Sequence, residues 1–201
     1  MKQLVVITLP TFFNKEAELI TLLFKNGLEK LHLRKPEAPV GKLKALLDEI
    51  PQEYHPYITL HDHFELLGEY PAIGGIHLNK RNPVSPRGFK GNVSCSCHSF
   101  EEIKSNSQLS YCFLSPIFNS ISKEGYKSNF SIEALQNAAK EGILTSKVFA
   151  LGGICPETLP LLKDLPFGGV AVLGYLWGKN PEDYRDTIKR LNTLLICIGK
   201  I

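Results

Sequence analysis

Two hydrophobic periods alternate along the chain. Short apolar runs recur eight times, near residues 4–8, 30–34, 57–61, 75–78, 92–96, 111–115, 148–152 and 168–173. Each is short enough to read as a strand rather than a helix. Between them the period lengthens to that of a helix. Residues 15–26 put Leu19, Leu22 and Leu23 on one side and stop at Gly27. Residues 41–50 carry the stripe Leu43, Leu46 and Leu47 and end at Pro51. Ser131 is placed to cap a helix bearing Leu135, Ala138 and Ala139, closed by Gly142. Pro156 suits the first turn of another. Asn180-Pro181-Glu182-Asp183 opens the last helix, whose expected core face is Tyr184, Ile188, Leu191 and Leu195. Residues 79–91 hold Pro83, Pro86, Gly88 and Gly91, which predicts a loop or a single turn.

Strands alternating with helices predict a parallel sheet covered by helices. Eight strands permit closure into a (β/α)8 TIM barrel, an α/β fold of one domain over residues 1–201. The competing architecture is an open doubly wound sheet. It usually carries a glycine-rich turn after its first strand, and here that turn is Leu9-Pro10-Thr11-Phe12-Phe13.

Composition narrows the partners. The chain has 23 basic and 20 acidic residues, a net charge of +3, too weak for nucleic acid. Any anionic ligand must then be met by a local site. No run of apolar residues is long enough to span a membrane, and the opening run reads as a strand rather than a signal peptide. Five scattered cysteines (Cys95, Cys97, Cys112, Cys155, Cys197) read as buried thiols of a reducing cytosol. The expectation is a cytoplasmic protein with small-molecule substrates, compatible with a homo-oligomer.

In such barrels chemistry gathers where strands run into the following helices. In the second strand Leu31 and Leu33 alternate with His32 and Arg34. If the helices take the leucines, His32 and Arg34 point into the barrel. An inward Arg keeps its proton and needs an anion, either a ligand or a core carboxylate. The third strand ends in His61-Asp62-His63, the fourth contains His77 and then Asn79-Lys80-Arg81-Asn82, and the fifth ends in Ser96-Cys97-His98. After the sixth comes Ser115-Pro116-Ile117-Phe118-Asn119-Ser120-Ile121-Ser122-Lys123, the seventh ends in Gly152-Gly153, and the eighth in Leu173-Gly174. Glycines let backbone N–H groups approach an anion, and the turns after strands seven and eight are the usual phosphate place. Tight packing is the plainer reason for a Gly-Gly pair.

This order of motifs resembles the thiamine phosphate synthase family over nearly the whole chain. The segments Pro116-Ile117-Phe118 with Lys123, and Ala150-Leu151-Gly152-Gly153-Ile154, are the specific ones. His32-Leu33-Arg34, His61-Asp62, Gly75-Ile76-His77-Leu78 and Ser94-Cys95-Ser96-Cys97-His98 add to them. A related branch, the thiazole tautomerases, carries a His where this chain has Pro116. The resemblance implies a transferase of thiamine biosynthesis. It joins an aminopyrimidine pyrophosphate to a thiazole phosphate, releases pyrophosphate, and uses Mg2+. It further implies that Arg34, Ser96, Lys123 and Asp62 (through Mg2+, with Asn82 as the second metal position) hold the pyrophosphate side. His32 and His61 fall at substrate-binding positions. Ser120, Ser122, Gly152, Gly153 and the backbone of Leu173 and Gly174 would hold the thiazole phosphate.

The chain departs from the family at three places. Asn82 stands where the family has a second metal-binding Asp, Pro36 where it has Lys (with Lys35 adjacent), and His61 where it has Asn. Losing a carboxylate should weaken Mg2+ binding, because hard cations prefer anionic oxygens. On that expectation Asn82→Asp would lower the Mg2+ requirement, unless Lys80 or Arg81 has taken over the charge. Two other readings stay open. One is a paralogue that binds thiazole or thiamine phosphate without catalysis. The other is a hydrolase with a transition metal among His32, His61, His63 and His77. A plainer role for Asp62 is to cap a helix over residues 64–70.

Overall fold

The computed structural model describes residues 3–119 and 130–199. Eight parallel strands close on themselves in sequence order. They are β1 (Gln3–Ile7), β2 (Leu31–Leu33), β3 (Ile58–Leu60), β4 (Gly75–Leu78), β5 (Asn92–Cys97), β6 (Tyr111–Leu114), β7 (Val148–Leu151) and β8 (Gly169–Val172). The apolar runs of the sequence are these strands to within about a residue at each end, the usual uncertainty of a boundary. Closure brings Gln3 beside Gly169 and Val6 beside Val172. The glycine is needed there, since a Cβ would strike the Gln3 carbonyl and the Phe149 ring.

The helices are α1 (Glu16–Lys25), α2 (Val40–Glu49), α3 (Phe100–Ser105), α4 (Ile132–Lys140), α5 (Gly174–Trp177) and α6 (Tyr184–Ile198). Ser131 caps α4 by accepting the Ala134 N–H, and Asp183 caps α6 by accepting that of Asp186. The buried stripe of α6 is Thr187, Leu191, Leu194 and Ile198, so Tyr184, Ile188 and Leu195 flank the contact instead of centring it. Pro156 does not begin a helix. The Thr158 hydroxyl accepts the Cys155 N–H and reaches the Gly153 carbonyl, both at 3.0 Å, and closes a tight turn. A short 3-10 helix then begins at Leu159 (Leu159–Leu162). Residues 79–91 contain no helix, as expected.

Alternation along each strand separates two environments. Outward residues such as Leu4, Val6, Leu31 and Leu33 pack under the helices in the larger core. Cys95, Cys97 and Cys112 lie in that layer as free, buried thiols. Inward residues of β1, β6, β7 and β8 form a second apolar cluster of Val5, Ile7, Tyr111, Phe113, Phe149 and Ala171. The inward residues of β2 to β5 are polar and buried: His32, Thr59, His61, His77 and Ser94. The barrel interior is therefore half apolar and half hydrogen-bonded. Among the described residues no helix is long and apolar enough to cross a membrane.

Lys35, next to Arg34, turns outward. Its ammonium lies 2.6 and 2.8 Å from the two Glu16 oxygens and 2.8 Å from the Thr11 carbonyl. The side chains are 0% and 2% exposed, and the ammonium sits over the Phe12 ring at 4.6 Å. Burial pushes the Lys35 pKa down and the Glu16 pKa up, each opposed by the partner's charge. This pair ties the β1–α1 loop to the end of β2. Removing one partner leaves a buried charge uncompensated, whereas removing both does not. Lys35→Met alone should cost about 3–5 kcal/mol in urea unfolding, and the double variant with Glu16→Leu should recover most of it. Equal losses in both proteins would show that the pair is not the element that matters.

Candidate active site

The floor of the mouth is a layer of three imidazoles. His32, His61 and His77 come from β2, the end of β3 and β4, and all are buried. His32 Nδ1 lies 2.8 Å from His61 Nε2, and His32 Nε2 lies 2.6 Å from the Tyr111 hydroxyl. A neutral imidazole has one donor and one acceptor nitrogen. His32 therefore donates to one of these neighbours and accepts from the other. His77 contacts Ser94 Oγ through Nδ1 (2.9 Å) and Ser96 Oγ through Nε2 (3.1 Å). The His61 and His77 rings are stacked, with centroids 4.2 Å apart.

This layer is held uncharged. Burial is the largest cause for all three rings and lowers every one of their pKa values. The neighbouring imidazoles and the cations Lys30, Arg34 and Arg81 push in the same direction. His77 falls to about 3. Lys30 sits below the floor with its ammonium 4.4 Å from the Tyr111 ring centroid. Its own pKa is lowered by burial.

Arg34 rises above the floor. Its N–H donates to Thr8 Oγ1 at 2.9 Å, and the same hydroxyl donates to the Arg34 carbonyl at 3.2 Å, so β1 fixes this residue at both backbone groups. No carboxylate pairs with its guanidinium among the described residues, which removes the core ion pair as its reason for being there.

The plainer role for Asp62 does not hold. The residue does not cap the following helix, a 3-10 turn (Phe64–Gly68) whose cap residue is His63 in the left-handed conformation, with no side-chain bond. Its carboxylate is gripped by Arg81, Nε to Oδ1 at 2.9 Å and Nη2 to Oδ2 at 3.1 Å. The Asn82 amide donates to Oδ1 at 3.2 Å. Asp62 and Asn82 are thus together at the mouth, but both carboxylate oxygens already have donors. His63 leaves the site: its ring contacts Glu65 and the Ala38 carbonyl, at 2.9 and 2.7 Å. The other three histidines could converge on a metal. However, five of their six nitrogens serve the hydrogen bonds above, and the His61 and His77 rings are stacked.

Across the mouth, Gly152 and Gly153 have φ of 101° and 64°, backbone that favours glycine. A Cβ on Gly152 would come within 2.9 Å of Pro116, and one on Gly153 would strike the Asn119 carbonyl. The Ile117 and Phe118 N–H groups donate to the Leu151 and Gly152 carbonyls at 2.9 and 3.0 Å. Packing thus accounts for both glycines, and the same packing fixes the start of the segment that carries Ser120, Ser122 and Lys123. Those three lie outside the described residues. Leu173 and Gly174 stand at the start of α5. Tyr111, Ser94 and Lys30 were not singled out from the sequence. Their inward alternation with Phe113, Ser96 and His32 is the signal that could have found them.

A family model described as thiamine monophosphate synthase matches residues 4–176. The crystal structure of a thiamine phosphate pyrophosphorylase from Bacteroides thetaiotaomicron is 43% identical, covers 98% of both chains and superposes with a TM-score of 0.88. A thiamine-phosphate synthase of that species is 25% identical over 177 residues, 82% of each chain. A thiamine phosphate pyrophosphorylase from Pyrococcus furiosus, at 17% identity and a TM-score of 0.78, shares the fold.

The neutral floor makes the protein acid-sensitive. The three pKa values are depressed in the folded state, so their contribution is complete above the ordinary value of 6.5. It is lost as pH falls below that value towards about 3, the folded pKa of His77. For His77 that cost is about 1.4 kcal/mol per pH unit in that window, and His32 and His61 act in the same direction. Melting temperature should fall between neutral pH and the acid end of the window, less steeply in His61→Asn. Parallel curves for the two proteins would place the acid-sensitive groups elsewhere.

Proposed function

The chain belongs to the thiamine monophosphate synthase family, and from that membership we propose that its mouth joins an aminopyrimidine pyrophosphate to a thiazole phosphate. The observation that carries this reading is the split character of the mouth. Arg34 and Arg81 gather over an uncharged floor on one side, with the Gly152 and Leu173 turns on the other.

The chemistry asks for that split. The bond from the pyrimidine methylene carbon to the pyrophosphate oxygen breaks, and the oxygen leaves with the electron pair. The thiazole nitrogen then gives its lone pair to the carbon, which yields thiamine phosphate and pyrophosphate. Charge builds on the leaving oxygens and must meet fixed donors. Arg34 and Ser96 supply such donors, and Lys123 is expected to add a third. The developing carbocation has the opposite need. A protonated imidazole beneath the pyrimidine would oppose it. The neutral His32, His61 and His77 offer hydrogen bonds without charge. On the far side the backbone of Gly152, Gly153, Leu173 and Gly174, with Ser120 and Ser122, is the proposed seat of the thiazole phosphate.

Mg2+ is the cofactor the family resemblance implies. When bound, such an ion neutralises pyrophosphate oxygens. The described residues do not fit it as they stand: among them a single carboxylate, already engaged by a guanidinium, faces an amide at position 82. The substrates are small molecules, and a cytoplasmic location suits the five free thiols.

Incubation with both substrates should give thiamine phosphate and an equal amount of pyrophosphate. Arg34→Ala and Lys123→Ala should each lower kcat/KM about 100-fold if they meet charge in the transition state. Absence of product with and without Mg2+, alongside binding of thiazole phosphate, would establish a non-catalytic paralogue instead.

A further inference from the structure

We propose that the Arg81 guanidinium takes the place of a divalent cation on Asp62, so that this chain grips the pyrophosphate end of its substrate without Mg2+. The inference rests on the reading of the mouth as a pyrophosphate site.

The geometry is that of a built site rather than a chance surface pair. Arg81 meets both carboxylate oxygens in a two-point fork, the strongest arrangement open to these groups. Asp62 is 7% exposed and Arg81 52%, so the carboxylate is closed off while the guanidinium still faces the mouth. Of its five N–H groups, two are spent on Asp62, which leaves three for an anion. The loop that presents it is fixed by one side chain. Asn79 Oδ1 accepts the N–H groups of Arg81 and Asn82 at 2.9 and 3.1 Å. The Asn79 amide also donates to the His61 carbonyl at the end of β3. Asn79 and Asn82 exchange backbone bonds at 3.1 Å. Arg81 is thereby aimed before any ligand arrives.

Charge explains the neutral residue at position 82. Asp62 and Arg81 sum to zero, and Asn82 adds a donor without changing that sum. A carboxylate at 82 would leave the cluster negative in front of an anionic ligand. A Mg2+ ion would meet the reverse difficulty. It requires near-octahedral oxygen donors and is reluctant to shed water. Here it would have to expel the guanidinium from the one carboxylate available. It would also sit beside Arg34, whose charge, like that of Arg81, already presses on His61. It follows that Asn82→Asp alone should not install a metal site, because the new carboxylate would face Arg81. This is the second of the two outcomes the sequence leaves open, a site rebuilt around Arg81.

The test uses inorganic pyrophosphate, the reaction's product, titrated calorimetrically into the full chain with excess chelator and again with Mg2+. Binding should persist in chelator. Arg81→Ala should weaken that binding about 10- to 100-fold, the loss of charge-assisted bonds. Arg81→Gln, which removes the charge but can keep a donor near the Nε position for Asp62, should do the same and serves if the alanine variant melts early. The pair Arg81→Ala with Asn82→Asp should instead bind Mn2+, followed by its paramagnetic resonance signal, and bind pyrophosphate only with a metal. Wild-type protein should leave Mn2+ free. The proposal is overturned if wild-type binding of pyrophosphate vanishes in chelator or never occurs. It is equally overturned if wild-type protein takes up Mn2+ through Asp62, or if the Arg81 variants bind unchanged. Turnover is read separately. Metal-free pyrophosphate binding without product formation would keep Arg81's role and sink the joining reaction. Product formation that stops in chelator together with pyrophosphate binding would do the opposite.

Discussion

The mouth of this barrel depends on three imidazoles staying neutral. The pleat of β2 sends residues 30, 32 and 34 inward, and all three can carry positive charge. Lys30 and Arg34 occupy the two ends of that column, so His32 between them cannot also be charged without a counter-ion. None is supplied. The chain instead surrounds His32 with a phenol and a second imidazole, partners that satisfy a neutral ring completely. His61 and His77 inherit the same constraint through stacking and through the two arginines above them. A low-dielectric interior makes the choice severe, because unpaired charge there costs far more than an exchanged hydrogen bond.

That constraint shapes what the mouth offers. With no charge in the floor, the positive potential above it comes from Arg34 and from the Lys80-Arg81 turn after β4. Among the described residues Arg34 has no carboxylate partner, and Arg81 is half-compensated by Asp62. Lys35 adds nothing, because its ammonium is consumed by Glu16 on the other side of the strand. The apolar half of the interior, built on Tyr111, Phe113 and Phe149, supports the opposite wall. There the donors are backbone groups at glycine turns. On the proposed reading, cationic side chains on one wall and backbone on the other would sort a pyrophosphate from a monophosphate by charge.

Much of this was legible in the sequence, for definite reasons. Strand positions follow from short apolar runs, because each strand is buried between helices and barrel interior. The inward orientation of His32 and Arg34 follows from alternation, since only one face of β2 is leucine. What was not legible depends on contacts between distant loops. The grip of Arg81 on Asp62 spans 19 residues and needs Asn79 to fold the intervening loop. Lys35 looks like a substitute for the family lysine until Glu16, a residue of α1, claims it. Asp62 looks like a cap until His63 takes a left-handed conformation and carries the chain away from it. Pro156 suits a helix start by itself, and the Thr158 hydroxyl decides otherwise.

The departures from the family pattern are coherent when taken as a set of charges. His61 is neutral where a neutral amide is expected, and its imidazole closes the floor's hydrogen-bond chain to His32. Asn82 loses one negative charge, and Arg81 adds one positive charge two oxygens away. Pro36 removes a cation from the end of β2, and Lys35 does not restore it because it is spent internally. Counting Arg34 and Arg81 against Asp62, the described part of the pyrophosphate wall carries +1 + 1 − 1 = +1. A dication held by two carboxylates in place of Arg81, Asp62 and Asn82 would leave the same total with Arg34. The family lysine that Pro36 replaces would add one more, so the substitutions leave this wall one positive charge short of the family pattern while changing who supplies the rest.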